Sequence, residues 1–256
     1  MGYMCGRFAV TTDPALLAEK IKAIDESTAA AKDKDTPGAN YNVAPTTTIS
    51  TVVKRHTEPD DESTRRVRSM RWGLVPPWAK STEDGGPDTK GPLLINARAE
   101  KITTSPAFRN SAKSKRCLVP MDGWYEWKPN GELASGKKAP KTPYYMYGSD
   151  GEMLFMAGLW STWRPKDAPK DAPPLLSCTI ITTDAAGPLA EIHDRMPLTI
   201  SREDWDRWLD PDLTDAAEIE QLLKPFPAEE MRAYPVSSRV NNVKNDDAGL
   251  IEPAGS

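Results

Sequence analysis

The chain of 256 residues is 38% hydrophobic and 27% charged, a globular composition long enough to bury a full core without disulfide or metal staples. It has no apolar run of about 18 residues and no charged start leading into an apolar core and a small-residue cleavage site, so neither a membrane span nor a secretory signal is expected. Cys5, Cys117 and Cys178 form an odd set with no close pair, which points to a reducing, intracellular compartment and away from a disulfide framework or a zinc site. The formal net charge of -4 hides an asymmetry: residues 96–128 sum to +4 and residues 201–230 to -7, which permits a basic groove on an acidic protein.

In chain order, residues 13–31 read as a helix, with Thr12 or Asp13 as cap, Pro14 in the first turn, and Leu16, Leu17, Ile21 and Ile24 on one face. A polar breaker over 32–38 leads to Tyr41-Asn42-Val43-Ala44-Pro45 at the mouth of a strand over 48–53, and a charged loop over 59–66 separates it from a strand over 67–72. Trp72 to Trp78 is a Gly- and Pro-punctuated turn, and 80–91, with three glycines, is expected to be exposed and mobile. Strands follow near 93–95, 116–120, 143–147, 153–160 and 175–182, with 198–200 extended. Short helices are expected over 105–112, after Ser201 (carrying Trp205, Trp208 and Leu209) and over 215–223, with loops over 131–142 and 163–174 and a polar tail at 253–256. Many short strands with few helices and no repeating strand-helix unit indicate an α+β single compact domain around a curved, mostly antiparallel, barrel-like sheet with flanking helices.

Several polar residues stand beside apolar strands. Cys5 lies almost at the amino terminus, where a residue carrying both thiol and free α-amine could trap an aldehyde, first as an imine and then as a five-membered thiazolidine. Glu126, between Tyr125 and Trp127, is either the outward residue of a half-buried strand or a carboxyl raised by apolar neighbours and suited to proton transfer. His193 precedes Asp194-Arg195 and suits acid-base work, whereas His56 lies in a charged loop. Asn96 ends a strand, and Cys117 and Cys178 read as inert core. No phosphate-cradling glycine loop, dinucleotide fingerprint or metal-spaced ligand set is present, so no cofactor and no metal are expected.

Cys5-Gly6-Arg7-Phe8, Tyr41-Asn42-Val43-Ala44-Pro45, Trp72-Gly73-Leu74-Val75-Pro76, Ile95-Asn96-Ala97-Arg98-Ala99-Glu100, Asp122-Gly123-Trp124-Tyr125-Glu126-Trp127, His193-Asp194-Arg195-Met196-Pro197 and Val243-Lys244-Asn245 occur in that order over nearly the whole chain. In this the sequence resembles the SOS response-associated peptidase (SRAP) family of abasic-site processing proteins. The resemblance implies a DNA-damage protein over residues 5–252 that recognises abasic sites in single-stranded DNA and acts as a monomer. It implies a covalent thiazolidine crosslink through Cys5, with AP lyase and self-cleaving peptidase activity. It assigns catalysis to Cys5, Asn96, Glu126 and His193, and a DNA channel to Arg7, Asn42, Pro45, Trp72, Arg98, Trp127 and Arg195.

One departure is expected to matter. Members of the family carry the cysteine directly after the initiator Met, whereas Met1-Gly2-Tyr3 precede Met4 here. Residues 1–4 must therefore leave, through translation starting at Met4 or through self-cleavage. Two other functions fit the same residues: a cysteine peptidase acting on other proteins, and a non-covalent reader of damaged DNA.

Overall fold

The computed structural model describes residues 5–27, 37–131, 139–169, 171–224 and 227–255. Its elements in order are β1 (Phe8–Val10), α1 (Pro14–Lys20), β2 (Ile24–Asp25), β3 (Asn40–Val43), β4 (Thr48–Arg55), β5 (Thr64–Trp72), β6 (Asn96–Arg98), α2 (Arg109–Ser114), β7 (Arg116–Met121), β8 (Gly123–Pro129), β9 (Lys141–Gly148), β10 (Leu154–Trp163), β11 (Leu175–Asp184), β12 (Arg195–Pro197), α3 (Trp205–Leu209), α4 (Ala216–Gln221) and β13 (Met231–Pro235).

Five strands close on themselves in the order β5-β4-β7-β10-β11, and the parallel pairing of β11 with β5 (Cys178 opposite Trp72) seals the ring into a mixed barrel. Closure removes the edges that an open sheet would expose. A second sheet, β13-β9-β8-β1-β3, is antiparallel throughout. The α+β, barrel-like reading of the sequence therefore holds, with two sheets where one curved sheet was expected.

Strand alternation sorts the core. Along β10, Leu154, Met156 and Trp160 join the inner cluster with Phe8, Trp72, Trp124 and Cys178, while Phe155, Ala157 and Leu159 join an outer cluster with Leu17, Trp205 and Trp208 from the helices. A third cluster, of Ala9, Tyr125, Tyr145, Val236, Val240 and Leu250, lies on the other face of the second sheet, under the carboxy-terminal segment. Cys117 and Cys178 are fully buried, as expected.

The helix expected over 13–31 stops at Lys20. Lys22 has a left-handed φ of 54°, and Ile24–Asp25 pairs in parallel with Arg66–Val67, leaving Ile24 half exposed. Sheet pairing overrode the helical spacing of Ile24. The part of that helix over 28–31, the breaker over 32–36 and the loop over 132–138 lie outside the described residues. The helix expected over 105–112 forms later, at Arg109–Ser114. Ser201 meets Asp204 through its side chain without capping the backbone, whereas Asp215 caps α4 by accepting from the Glu218 N–H at 3.0 Å. Residues 80–91 contain a small hairpin in which Ser81 bridges Pro87. The expected tail is tied down at its start, where Pro253 bridges Val236 and the Ala254 N–H bonds Pro235 O at 2.8 Å.

Arg116, counted as a cation of the basic stretch, is not at the surface. It is buried, and its fork donates to Trp208 O at 2.6 Å, to Ala112 O at 2.6 Å, to Lys113 O at 2.8 Å and to Asp210 O. It thus binds carbonyls at the ends of α2 and α3, groups that need donors and favour a cation.

Candidate active site

β1 pairs with β8 with Phe8 opposite Trp124 and Ala9 opposite Gly123. Running that register two residues further lays Glu126 beside Cys5-Gly6. Glu126 has the parity of Trp124, whose ring belongs to the inner cluster, so its carboxyl points into the molecule and not outward. It is 1% exposed, and its Oε1 accepts from the Cys5 main-chain N–H at 2.6 Å. Burial pushes its pKa up to about 8, against the opposing effect of the Cys5 N–H. Burial first, and the nearby Glu126 second, push the Cys5 thiol well above its ordinary range.

The other carboxylate oxygen of Glu126 faces His193, with 4.0 Å between Oε2 and Nε2. That gap is longer than a hydrogen bond. His193 Nδ1 has two competing partners: the Arg195 N–H at 3.1 Å, which suits the tautomer with its proton on Nε2, facing Glu126, and a carboxylate that suits a proton on Nδ1. The Asp194 carboxylate lies 2.9 Å from the same Nδ1 and is exposed. Asn96 sits at the start of β6, held by parallel pairing to Ile180 on β11.

Around this centre, Arg7 donates to Asn42 Oδ1 at 2.7 Å and to Val240 O at 2.8 Å, and its guanidinium lies 5.9 Å from the Trp127 ring centre. Trp127 Nε1 donates to Asn241 Oδ1 at 2.7 Å. Asn42 is buried, and its amide donates to the carbonyls of Val240, Asn242 and Asn245. Pro45 is half buried and Arg98 is exposed.

Like Asn42, two more residues expected in the channel lie beneath the surface. Trp72 is 0% exposed, with its ring edge-on to Phe8 and its Nε1 bonded to Ile95 O at 3.0 Å. Arg195 is buried, its fork engaged by Glu100 at 2.9 and 3.1 Å, by Asp184 and by Thr182 O. The resemblance assigns no role to the polar run 237–245, of which only Val243-Lys244-Asn245 is among its motifs. The run's carbonyls and Asn241 anchor Arg7, Asn42 and Trp127, and its Ser237-Ser238 and Asn241-Asn242 pairs were the available signal.

The family model for "SOS response associated peptidase (SRAP)" matches residues 4–243. The chain belongs to the SRAP family. Among its SRAP relatives, it is 37% identical over 251 residues to the abasic site processing protein YoqW of Bacillus subtilis (strain 168), covering 97% of this chain and 99% of that one. It is 34% identical over 261 residues to YedK of Escherichia coli (strain K12), covering 98% and 100%. With HMCES of Gallus gallus the identity is 33% over 236 residues, covering 84% and 66%. A crystal structure of a protein from Bacteroides thetaiotaomicron shares the fold at a TM-score of 0.76 and 27% identity, covering 98% of this chain and 100% of that one.

Proposed function

We propose that this SRAP protein processes abasic sites in single-stranded DNA by forming a covalent thiazolidine through Cys5 once residues 1–4 have been removed. The observation that carries this reading is the 2.6 Å contact between the Cys5 nitrogen and a buried carboxyl whose pKa is about 8. A free α-amine has an unperturbed pKa of about 7.7–8.0, so proton transfer from the ammonium to Glu126 would be nearly balanced. The positive charge would itself lower the carboxyl and favour the ammonium–carboxylate pair, so Glu126 would take the amine's proton as the amine adds.

In the proposed reaction, His193 Nε2–H assists opening of the sugar hemiacetal to its aldehyde. The Cys5 amine adds to that carbon, water leaves with a proton supplied by Glu126, and the Cys5 sulfur closes on the iminium carbon while the C=N electron pair returns to nitrogen and the thiol proton returns to the Glu126 carboxylate. One water is lost in all. Elimination of the 3′ phosphate from the imine would be the competing lyase path. Asn96 would position the reacting groups, and Arg7, Pro45, Arg98 and Trp127 would meet the strand directly. Trp72, Asn42 and Arg195 would support that wall from beneath.

Removal of residues 1–4 has a conformational motive. Cys5 has φ of 40°, a left-handed value that costs a non-glycine residue on the order of 1–2 kcal/mol. That torsion ceases to exist when Cys5 becomes the first residue. A cysteine peptidase acting on other proteins fits less well, because such a thiol needs a lowered pKa and that of Cys5 is raised.

The test is incubation of the mature protein with an abasic single-stranded oligonucleotide, followed by heating and denaturing electrophoresis. A heat-stable shifted band that Cys5→Ala abolishes is expected. The same band from Cys5→Ala would overturn the thiazolidine, and an intact mass retaining Met1 in crosslinking-competent protein would overturn the maturation step.

A further inference from the structure

The end of the barrel away from Cys5 is ringed by cations. One end of β10 carries Leu154, paired with Met121 next to β8, and the other carries Trp160 and Trp163, paired with Cys178 and Leu175. Six residue steps from Leu154 to Trp160 span about 20 Å. On β4 the inward parity of Ile49 and Val53 continues to Arg55. On β5 the inward parity of Met70 runs back through Arg68 and Arg66, which stand opposite Thr51 and Val53. Lys115 has the parity of inward Cys117.

Contacts agree with these parities. The Arg55 guanidinium lies 5.1 Å from the centre of the Trp160 ring, and Lys115 Nζ lies 5.3 Å from it. Burial first, and then the charges of Arg68 and Arg66, lower the pKa of Arg55; burial and then Arg55 lower that of Lys115. Glu26 is the carboxylate engaged here, pairing with Arg66 and, at 2.5 Å, with Arg68. Among the described residues neither Arg55 nor Lys115 forms an ion pair. Four cations thus gather at this end of the barrel with one carboxylate, which engages two of them, on a protein of net charge -4.

We propose that this mouth, built of Arg55, Arg66, Arg68 and Lys115 around Trp160, is a second nucleic-acid contact that takes the sugar-phosphate backbone, with Glu26 as its resident internal anion. The identity of the polyanion rests on the function proposed above; the site itself rests on the convergence of charge. Arginine forks match phosphate geometry, and several spaced cations suit a chain of phosphates better than a single ion. Trp160 is only 3% exposed, so it offers no stacking face, and binding here is independent of base sequence.

The test is fluorescence anisotropy of labelled oligothymidylate, about thirty nucleotides long and without an abasic site, over a sodium chloride series. The double variant Arg55→Gln/Lys115→Gln is expected to bind about tenfold more weakly at low salt. Its log-log salt slope should fall by about 1.4, since each phosphate contact on a single strand contributes roughly 0.7. Glu26→Gln, which removes the resident anion, should bind several-fold more tightly, an outcome that a purely structural cluster would not produce. Unchanged affinity and slope in the double variant, or weaker binding by Glu26→Gln, would overturn the proposal. Crosslinking to an abasic oligonucleotide of about four nucleotides, too short to reach this mouth, should be the same in the double variant and the wild type. Failure of the wild type to crosslink would reject the Cys5 chemistry and leave the oligothymidylate result to judge the second site.

Discussion

The main-chain nitrogen of Cys5 lies 2.6 Å from Oε1 of Glu126, a residue 121 positions further along the chain. The β1–β8 register makes that contact, and it holds a carboxyl where water does not reach. A group with a folded pKa of about 8 and an unfolded one near 4.3 keeps its proton in the fold while the unfolded chain releases it. Its contribution to stability is therefore fully present below about pH 4.3 and lost as pH rises towards 8, with an upper bound of a few kcal/mol. In protein retaining residues 1–4, Glu126→Gln should match the wild type in melting temperature near pH 4.5 and exceed it near pH 9. An equal difference at both pH values would remove the buried, raised carboxyl. Glu126→Gln should also crosslink more slowly once mature.

The Asp194 carboxylate lies 2.9 Å from His193 Nδ1, the nitrogen that also faces the Arg195 N–H. Asp194 therefore helps to hold the ring at the angle that turns Nε2 towards Glu126. Asp194→Asn should slow crosslinking several-fold while leaving the melting temperature unchanged, because Asp194 itself is exposed. An unchanged crosslinking rate would exclude this role.

Asn42 joins β3 to the carboxy-terminal segment through three carbonyls and to Arg7 through its own oxygen. Asn42→Ala should lower unfolding free energy by about 2–3 kcal/mol, because buried partners are left unsatisfied. Hydrogen exchange over residues 238–245 should quicken selectively. Uniform quickening across the barrel would indicate a different role.

Gly123 opens β8 where the two sheets meet. A Cβ there would stand 2.4 Å from Met146 O and 2.5 Å from Tyr145 Cζ. Because one of these is backbone, Gly123→Ala should cost at least the roughly 1–3 kcal/mol typical of overpacking. Chemical denaturation would show it, and a variant with an unchanged midpoint would mean that β9 yields more readily than its pairing suggests.

Local chemistry in the chain was enough to indicate most strands, the helix beginning at 215, the inert Cys117 and Cys178, and the family itself, whose motifs stand in order from Cys5 to Asn245. Alternation and capping act over a few residues, so they can be read without knowing what packs where. The helix expected over 13–31 failed for the complementary reason: Ile24 suited a helical face, but its partner Arg66 lies more than forty residues away. Glu126 was legible as a carboxyl among aromatics, yet whether it pointed outward or inward depended on β8 having apolar layers on both faces. Likewise Arg116 counted towards a basic surface and the resemblance put Arg195 and Trp72 in the channel, and only the tertiary structure showed them buried against helix ends, carboxylates and Phe8. The sequence by itself determined which groups are available for chemistry. The tertiary structure decided which of them are dry, which are already bonded and which converge, because burial and pairing arise from contacts between strands far apart in the chain.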